Sequence, residues 1–487
     1  MRTIHNKNRK KKSVIFVGLL FLLFLISACA VDYVTGKHTF NLVSEQQEIQ
    51  IGREADPSII SQYGLYDDPK LTEYVNGIGQ KIATISQRPN LKYTFRVVDS
   101  PIVNAFALPG GWVYFTRGIL AHFNSEAELA GVMGHEIGHV VARHGAEQMS
   151  KAQLAGIGLL GMSAVSPELA KFSDLAQMGV GLLFLKFGRN QESESDRLGV
   201  EYSTKLGYDA NSMAKFFQTI GRLSEASGGG LPDFLSTHPN PADREKTVSR
   251  LAGDWQKKID YKPLNISPRD YLKRIDGIVY GNDPRQGFVE NNIFYHPTMR
   301  FQFPVPANWK LANLPTVVQM VSTDEKAYIQ FALASTNSPD SAANKLVQDN
   351  QLTVLKRQNT KLNGFPALFL DAKLENETQS IRVITYFIEK DKSLFSFQGL
   401  TASADYEQNK NEILNTLNGF RQLTDKNALN KKPLRVRIRT VSNPGNFKSI
   451  MQQFGMKDEM IPELAILNGV EETTNYQKGD LIKIIQE

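Results

Sequence analysis

The sequence predicts an α+β protein that begins with a mainly helical domain and continues with an antiparallel-sheet domain and a small terminal module. Its 487 residues suffice for two to four domains, and 41% hydrophobic with 22% charged residues is ordinary for a globular protein. We expect residues 29–258 to be mainly helical, with one short strand segment that predicts a small edge sheet. Strand patterns dominate residues 294–423, and residues 434–487 follow a strand–helix–helix–strand order. Residues 259–293 are a predicted connector and 424–433 a predicted linker.

The net positive charge of the chain comes from its N-terminal segment. The formal net charge is +6, and residues 1–28 carry six basic residues and no acidic one. Without them, 56 − 6 leaves 50 basic residues against 50 acidic ones. A nearly neutral remainder gives no reason to expect a nucleic-acid partner.

The N-terminal segment has the pattern of an export signal. Basic residues precede the apolar run Val14–Ile26, which is too short for a comfortable membrane span and suits a signal peptide over residues 1–28. Cys29 is the only cysteine, and "ISAC" resembles the lipobox of bacterial lipoproteins, so we expect lipidation of Cys29. By the same resemblance, Ala30 favours the periplasmic face of the outer membrane. The alternative is a signal anchor with a chance cysteine.

The stretch "NSEAELAGVMGHEIGHVVARH" predicts a helix that carries a metal site. Ser125 with Glu128 three residues later is a capping-box start. His135 and His139 are four residues apart, hence one turn apart on one helical face, where two imidazoles can bind one zinc ion. Glu136, beside the first histidine, can reach a zinc-bound water and act as general base. The alternative is a surface helix that happens to carry two histidines.

A third ligand must come from elsewhere, because catalytic zinc usually has three protein ligands. The candidate is Glu192, which shares a helical face with Asp196, and Asp196 can accept the free N–H of a ligating histidine. Glu194 is the rival, about 200° around the helix from Glu192. The alternative for this whole stretch is a charged solvent face. We expect His144 to continue the helix of His139, either in a polar role or in support of a metal ligand, rather than as a ligand itself.

Several ordered motifs between Gln46 and Arg250 resemble the HtpX/CAAX-prenyl-endopeptidase-like zinc metallopeptidases, metallopeptidase family 48, and within them the exported BepA/LoiP/Oma-type branch. They are "EIQIGREAD", "YVNGIGQKIA", "NAFALPGGWVYFTRGIL", "HEIGHVVARH", "ESESD" and "STHPNPADR". Ser195 stands where alanine is commoner in the acidic motif. The resemblance implies a gluzincin-like HExxH peptidase domain with one Zn²⁺ per chain. It also implies quality-control cleavage of misfolded or misassembled envelope proteins.

The resemblance assigns roles to further residues. It implies that a strand borders the cleft and can pair with an extended substrate. The residues of this segment are Gly110, Gly111, Trp112, Val113 and Tyr114. It puts His238 at the cleft, where it would either stabilise the oxyanion or occupy the open zinc position at rest; a loop histidine without a role is the alternative. Arg244 is predicted to be a structural anchor that supports the metal ligands, with substrate contact as the alternative. A rival function is a chaperone-like binding protein with a latent zinc site.

The remaining segments are less specific. Two apolar runs, Leu154–Val165 and Leu175–Phe187, predict packed or membrane-touching helices, or a lid over the cleft. Residues 294–423 contain one histidine, His296, and no acid–histidine cluster, so we expect a partner-binding or structural role. Residues 434–487 are similar to a LysM module, which binds peptidoglycan, although "SNPGNF" replaces the usual turn.

Overall fold

The computed structural model describes residues 29–160, 187–226, 234, 237, 238, 241–375 and 380–487. The chain forms two compact units. The first unit contains the described residues up to Ile60, Leu65–Ile278 and Val436–Gln486; the second contains Ser61–Gly64, Val279–Arg435 and Glu487. The signal segment 1–28 lies outside the described residues, as does most of the two predicted apolar runs.

The first unit is mixed, with helices predominating before residue 279. Its elements are β1 (Cys29–Val31), β2 (His38–Phe40), α1 (Glu45–Tyr63), α2 (Pro69–Ile85), β3 (Thr94–Val98), β4 (Ala105–Leu108), β5 (Trp112–Thr116), α3 (Arg117–His122), α4 (Glu126–Val141), α5 (His144–Leu160), α6 (Arg189–Lys205), α7 (Asn211–Ala226), α8 (Pro241–Lys258) and α9 (Pro268–Ile275). The predicted helical N-terminal domain is therefore confirmed. Among the described residues, no helix is long and apolar enough to cross a membrane.

A three-stranded sheet of order β3-β5-β4 lies beside these helices. β5 runs parallel to β3 and antiparallel to β4, so both of its edges are already paired. The tight connection between β4 and β5 uses Gly110 and Gly111 with φ of +81° and +102°, values that glycine adopts without strain. A side-chain carbon on Gly110 would also lie 2.5 Å from Ile49 Cα of α1.

Helix α4 begins as its sequence predicts. Ser125 is the N-cap, and its hydroxyl accepts from the Glu128 amide. The Glu128 carboxylate in turn accepts from the amide of Asn124 at 2.8 Å. From Glu128 to Val141 every residue of α4 is buried, so this is a core helix rather than a surface one. The surface-helix alternative is thereby excluded.

The expectation that His144 continues α4 is wrong. α4 ends at Val141, Arg143 adopts a left-handed φ of +59°, and α5 begins at His144. The turn is held by the Arg143 side chain, which donates to Glu48 Oε2 at 2.8 Å and to the carbonyl of Val43 at 2.6 Å. These partners lie about a hundred residues earlier in the chain, so the local sequence does not reveal the break.

The second unit is an antiparallel α+β domain. Its elements are β6 (Phe288–Glu290), β7 (Ile293–His296), β8 (Phe301–Pro304), β9 (Lys310–Asn313), β10 (Val317–Val321), β11 (Ala327–Leu333), α10 (Pro339–Asp349), β12 (Thr353–Leu362), β13 (Phe365–Glu375), β14 (Ser380–Lys390), β15 (Ser393–Ala402), α11 (Tyr406–Asn418), β16 (Arg421–Gln422) and α12 (Lys426–Leu429). A seven-stranded sheet runs β12-β13-β14-β15-β11-β10-β9, and a four-stranded sheet runs β16-β8-β7-β6. Aromatic residues such as Phe301, Phe331 and Phe397 fill its core.

The C-terminal segment has the predicted strand–helix–helix–strand order. It comprises β17 (Arg435–Thr440), β18 (Gly445–Asn446), α13 (Phe447–Gln453), α14 (Ile461–Leu467), β19 (Asn475–Tyr476) and β20 (Leu481–Gln486), with β17 paired to β20. From Val436 to Gln486 it belongs to the first unit. The ammonium of Lys483 is fully buried there and donates to the carbonyls of Ala121, Phe123 and Leu467 at 2.7–3.0 Å.

Candidate metal centre

Four buried side chains of the first unit converge on one point: His135, His139, Glu192 and His238, with one donor atom each within 4.8 Å of the others. The Nε2 atoms of His135 and His139 are 3.0 Å apart. Nδ1 of His238 is 3.2 Å from Nε2 of His135 and 3.0 Å from Oε1 of Glu192. The Glu192 oxygens lie 3.4 Å from Nε2 of His139 and 3.7 Å from Nε2 of His135.

These distances fit a tetrahedral metal ion. A tetrahedral zinc site with bonds of about 2.0–2.2 Å has donor–donor edges of about 3.3–3.6 Å. The five distances given above run from 3.0 to 3.7 Å, and all four donor atoms lie within 4.8 Å of one another. Three imidazoles and one carboxylate are also the donor types that zinc takes. The residues present therefore suit the ion that the motifs predict.

Close contact between α4 and α6 brings the ligands together. α4 supplies His135 and His139, and α6 supplies Glu192. A side-chain carbon on Gly138 would lie 3.1 Å from the Cα of Ser195. The helices pack this closely because Gly134 and Gly138 of α4 face Gly199 and Ser195 of α6, so the small Ser195 of the acidic motif preserves the packing.

Asp196 and Arg244 support the ligand His135 from behind. Oδ1 of Asp196 lies 2.9 Å from Nδ1 of His135, and Arg244 donates to both Asp196 oxygens at 2.8 and 2.6 Å. Nη1 of Arg244 also lies 3.0 Å from Oε2 of Glu192. The guanidinium is buried, and two carboxylates compensate its charge. Arg244 thus contacts Glu192 and the residue that supports His135.

Glu136 and His238 face each other across the cluster. Oε1 of Glu136 is 3.5 Å from Nε2 of His238. Among the described residues, neither oxygen of Glu136 has a hydrogen-bond partner, although the residue is fully buried. Burial raises the pKa of Glu136. Burial works against protonation of His238, yet the Glu192 and Glu136 carboxylates raise the pKa of His238. A buried, unpartnered carboxylate of this kind is typical of a group kept for proton transfer.

Glu194, the rival ligand, lies outside the cluster. Its Oε2 is 3.3 Å from Nε2 of His144, whose Nδ1 is 3.0 Å from Nδ1 of His139. Phe187 was not predicted as a site residue; its ring stacks on His139 with centroids 4.1 Å apart. No spacing rule connects Phe187 to the histidines, because it ends an apolar run and precedes α6 by two residues.

The predicted substrate strand needs a correction. Trp112, Val113 and Tyr114 lie in β5, which is paired on both sides, so their backbone has no free edge for a substrate. Tyr114 is fully buried and donates to Oδ1 of Asp56 at 2.7 Å. Gly110 and Gly111 shape the preceding turn. The composition of this segment correctly predicted a strand. It could not predict which strands pair with it, because strand order depends on the tertiary structure.

Comparisons with known proteins agree with the site. The family model described as Peptidase family M48 matches residues 69–252. The chain is 32% identical over 257 residues to the Beta-barrel assembly-enhancing protease of Yersinia pestis, covering 50% of each protein. It is 37% identical over 169 residues to Mitochondrial metalloendopeptidase OMA1 of Arabidopsis thaliana, covering 34% of this chain and 33% of that protein. These two alignments span half or less of either relative's own length.

A third relative is covered more fully. The chain is 30% identical over 228 residues to Mitochondrial metalloendopeptidase OMA1 of Schizosaccharomyces pombe, covering 46% of this chain and 67% of that protein. The family match runs from α2 into α8 and so includes all four converging side chains. With the HExxH helix, the acidic helix and a relative matched over two thirds of its length, this chain belongs to peptidase family M48, a family of zinc metallopeptidases, and to its branch of BepA-like and Oma-like proteins.

Proposed function

We propose that this chain is a zinc-dependent endopeptidase of the bacterial cell envelope, anchored by a lipid on Cys29. The observation that carries the peptidase proposal is the proximity of four metal-type donors to Glu136, a buried carboxylate that has no hydrogen-bond partner among the described residues. A structural metal site needs no such free carboxylate. A hydrolytic site does, because a water molecule must lose a proton as it attacks the peptide carbonyl.

In the proposed mechanism His135, His139 and Glu192 hold the zinc ion. When bound, zinc would polarise the scissile carbonyl and make an attacking water more acidic. Glu136 takes the proton of that water and later delivers it to the leaving amine. The raised pKa of Glu136, caused mainly by burial, suits both halves of this task. Asp196 holds His135 in the tautomer whose Nε2 is free for the metal.

The corrected sheet order moves the proposed substrate strand to β4. β4 lies at the edge of its sheet and packs against α4, the helix of His135 and His139. An extended peptide that paired with Ala105–Leu108 would gain main-chain hydrogen bonds without side-chain selection. This suits a protease for unfolded segments of varied sequence.

The proposed location and substrates come from the N-terminus and from the relatives. A basic segment, a short apolar run and Cys29 support export and lipidation at the outer membrane. The name Beta-barrel assembly-enhancing protease, carried by the Yersinia pestis relative, supports misfolded or misassembled envelope proteins as substrates. The strand–helix–helix–strand order of residues 434–487, which is similar to that of a LysM module, supports a contact with peptidoglycan.

A second candidate is a latent form of the same protein, which binds unfolded strands and rarely cuts. It is favoured by His238, whose Nδ1 lies 3.2 Å from Nε2 of His135 and thus stands where the fourth metal ligand would be. In that position the imidazole excludes the water that Glu136 must deprotonate. Latency and proteolysis are then two states of one site.

The test compares the purified mature protein with its Glu136→Gln variant, using zinc analysis and cleavage of an unfolded protein such as casein. The amide is nearly isosteric but cannot take a proton. We expect equal zinc content, an unchanged melting temperature and a loss of cleavage of about 10²–10⁴-fold. A chelator should abolish wild-type cleavage, and added zinc should restore it. Full activity of Glu136→Gln would refute the assigned proton transfer, and a wild type without zinc would refute the metallopeptidase proposal.

A further inference from the structure

The ligand His139 has its own support, which differs from that of His135. His139 points Nε2 at the cluster, where it lies 3.0 Å from Nε2 of His135. Its other nitrogen, Nδ1, lies 3.0 Å from Nδ1 of His144, and the two rings meet nearly edge to face. His144 is itself buried, and its Nε2 lies 3.3 Å from Oε2 of Glu194. Two hydrogen-bond contacts therefore connect His139 of the cluster, through His144, to the carboxylate of Glu194.

The direction of the hydrogen bonds follows from the chemistry of imidazole. A neutral His139 that binds metal through Nε2 must carry its proton on Nδ1. That N–H can only donate, so Nδ1 of His144 must accept. His144 must then carry its own proton on Nε2, where the Glu194 carboxylate accepts it. One assignment of protons satisfies all three side chains, and it is the assignment that leaves Nε2 of His139 free for a metal.

We propose that His144 and Glu194 are positioning residues that hold His139 in its metal-binding tautomer and orientation. The inference rests on the proposed function only in that His139 is a zinc ligand. His144 performs for His139 the task that Asp196 performs for His135, with an imidazole interposed before the carboxylate. Phe187 also stacks on His139, with ring centroids 4.1 Å apart, and limits rotation of the His139 ring further.

The break after α4 makes this arrangement possible. On an uninterrupted helix, residues five apart would point about 140° away from each other. The left-handed Arg143 turns the chain so that His144 faces back toward His139. Arg143 is held in turn by the buried carboxylate of Glu48, at 2.8 Å. A salt bridge to α1 thus sets the position of a group that contacts a metal ligand.

Three variants of His144 and Glu194 separate positioning from simple packing. In His144→Asn, the amide oxygen can occupy the place of Nδ1 and still accept from His139. In His144→Leu, the volume is similar but the acceptor is lost. Glu194→Ala removes the carboxylate that accepts from His144. The position is partly exposed, so the change carries little risk to folding. His122→Leu is the control, because His122 is a buried histidine of the same unit on α3, where its Nδ1 contacts the Gly118 carbonyl.

The measurement is zinc affinity by chelator competition, with the melting temperature of each metal-free protein alongside. We expect a 10–100-fold loss of affinity for His144→Leu, as for other groups behind metal ligands, and at most a few-fold loss for His144→Asn and Glu194→Ala. His122→Leu should lower the melting temperature without changing affinity. Wild-type affinity in His144→Leu, or equal losses in the Leu and Asn variants, overturns the inference while leaving the zinc site intact. Absence of zinc binding by the wild type would instead refute the proposed function.

Discussion

Nε2 of His238 lies 3.5 Å from Oε1 of Glu136, while Nδ1 of the same ring faces the metal ligands. One imidazole therefore contacts both the proposed proton acceptor and the proposed fourth metal position. Two roles fit this placement, and they predict opposite effects of its removal. The latent role has His238 block the site, whereas the oxyanion role has it stabilise the transition state.

His238→Ala distinguishes these roles. If His238 blocks the site, the variant should cleave casein or itself faster than the wild type, because water can then reach Glu136. If it stabilises the oxyanion, the rate should fall about 10²–10³-fold, as for other single oxyanion donors. We expect the increase, because Nδ1 lies within the ligand cluster. Unchanged turnover of an unfolded substrate would exclude both roles.

The choice of the third ligand can be tested with two alanine variants. Glu192→Ala removes a carboxylate that lies 3.4 Å from Nε2 of His139. It should lower zinc affinity by more than the 10–100-fold that is typical when a residue hydrogen-bonded to a metal ligand is changed. Glu194→Ala should cost a few-fold at most, because Glu194 contacts His144 and Arg197 and is not one of the four converging residues. Zinc content after gel filtration provides the comparison, and the opposite ranking would make Glu194 the ligand.

The buried ammonium of Lys483 provides a stability test. Its three hydrogen bonds include two to Ala121 and Phe123, which precede α4. Lys483→Met keeps the length of the side chain but leaves these buried carbonyls without their donor, so we expect a loss of about 2–4 kcal/mol and a lower melting temperature. Lys448→Met, an exposed change in the same segment, is the control. Equal melting temperatures of both variants would mean that Lys483 contributes no net stability.

The lipid anchor depends on Cys29, the only cysteine of the chain. In a bacterial host, Cys29→Ser should abolish labelling by a fatty-acid analogue and release the protein from the membrane fraction, since two or three acyl chains hold a protein firmly. Because no other cysteine is present, any label attached through sulfur reports on this position alone. Membrane association that survives the change, without label, would favour a plain signal anchor.

Much of the centre could be predicted from local spacing. Residues four apart on a helix share a face, so the pairs His135 with His139 and Glu192 with Asp196 follow from the sequence once the helices are recognised. The N-cap at Ser125 is equally local, because a capping hydroxyl bonds to an amide three residues later. The strand-rich pattern of residues 294–423 likewise predicts the later antiparallel sheet.

The tertiary structure decided what depends on contacts between distant segments. His144 leaves the helix of His139 because Arg143 is held by Glu48, 95 residues earlier. The free sheet edge belongs to β4 rather than β5 because β3, from before both, pairs with β5. Lys483 enters the first unit because carbonyls some 360 residues earlier accept its protons. Helical period and capping act over a few residues, whereas a buried ion pair, a strand order and a buried ammonium require partners that only the folded chain brings together.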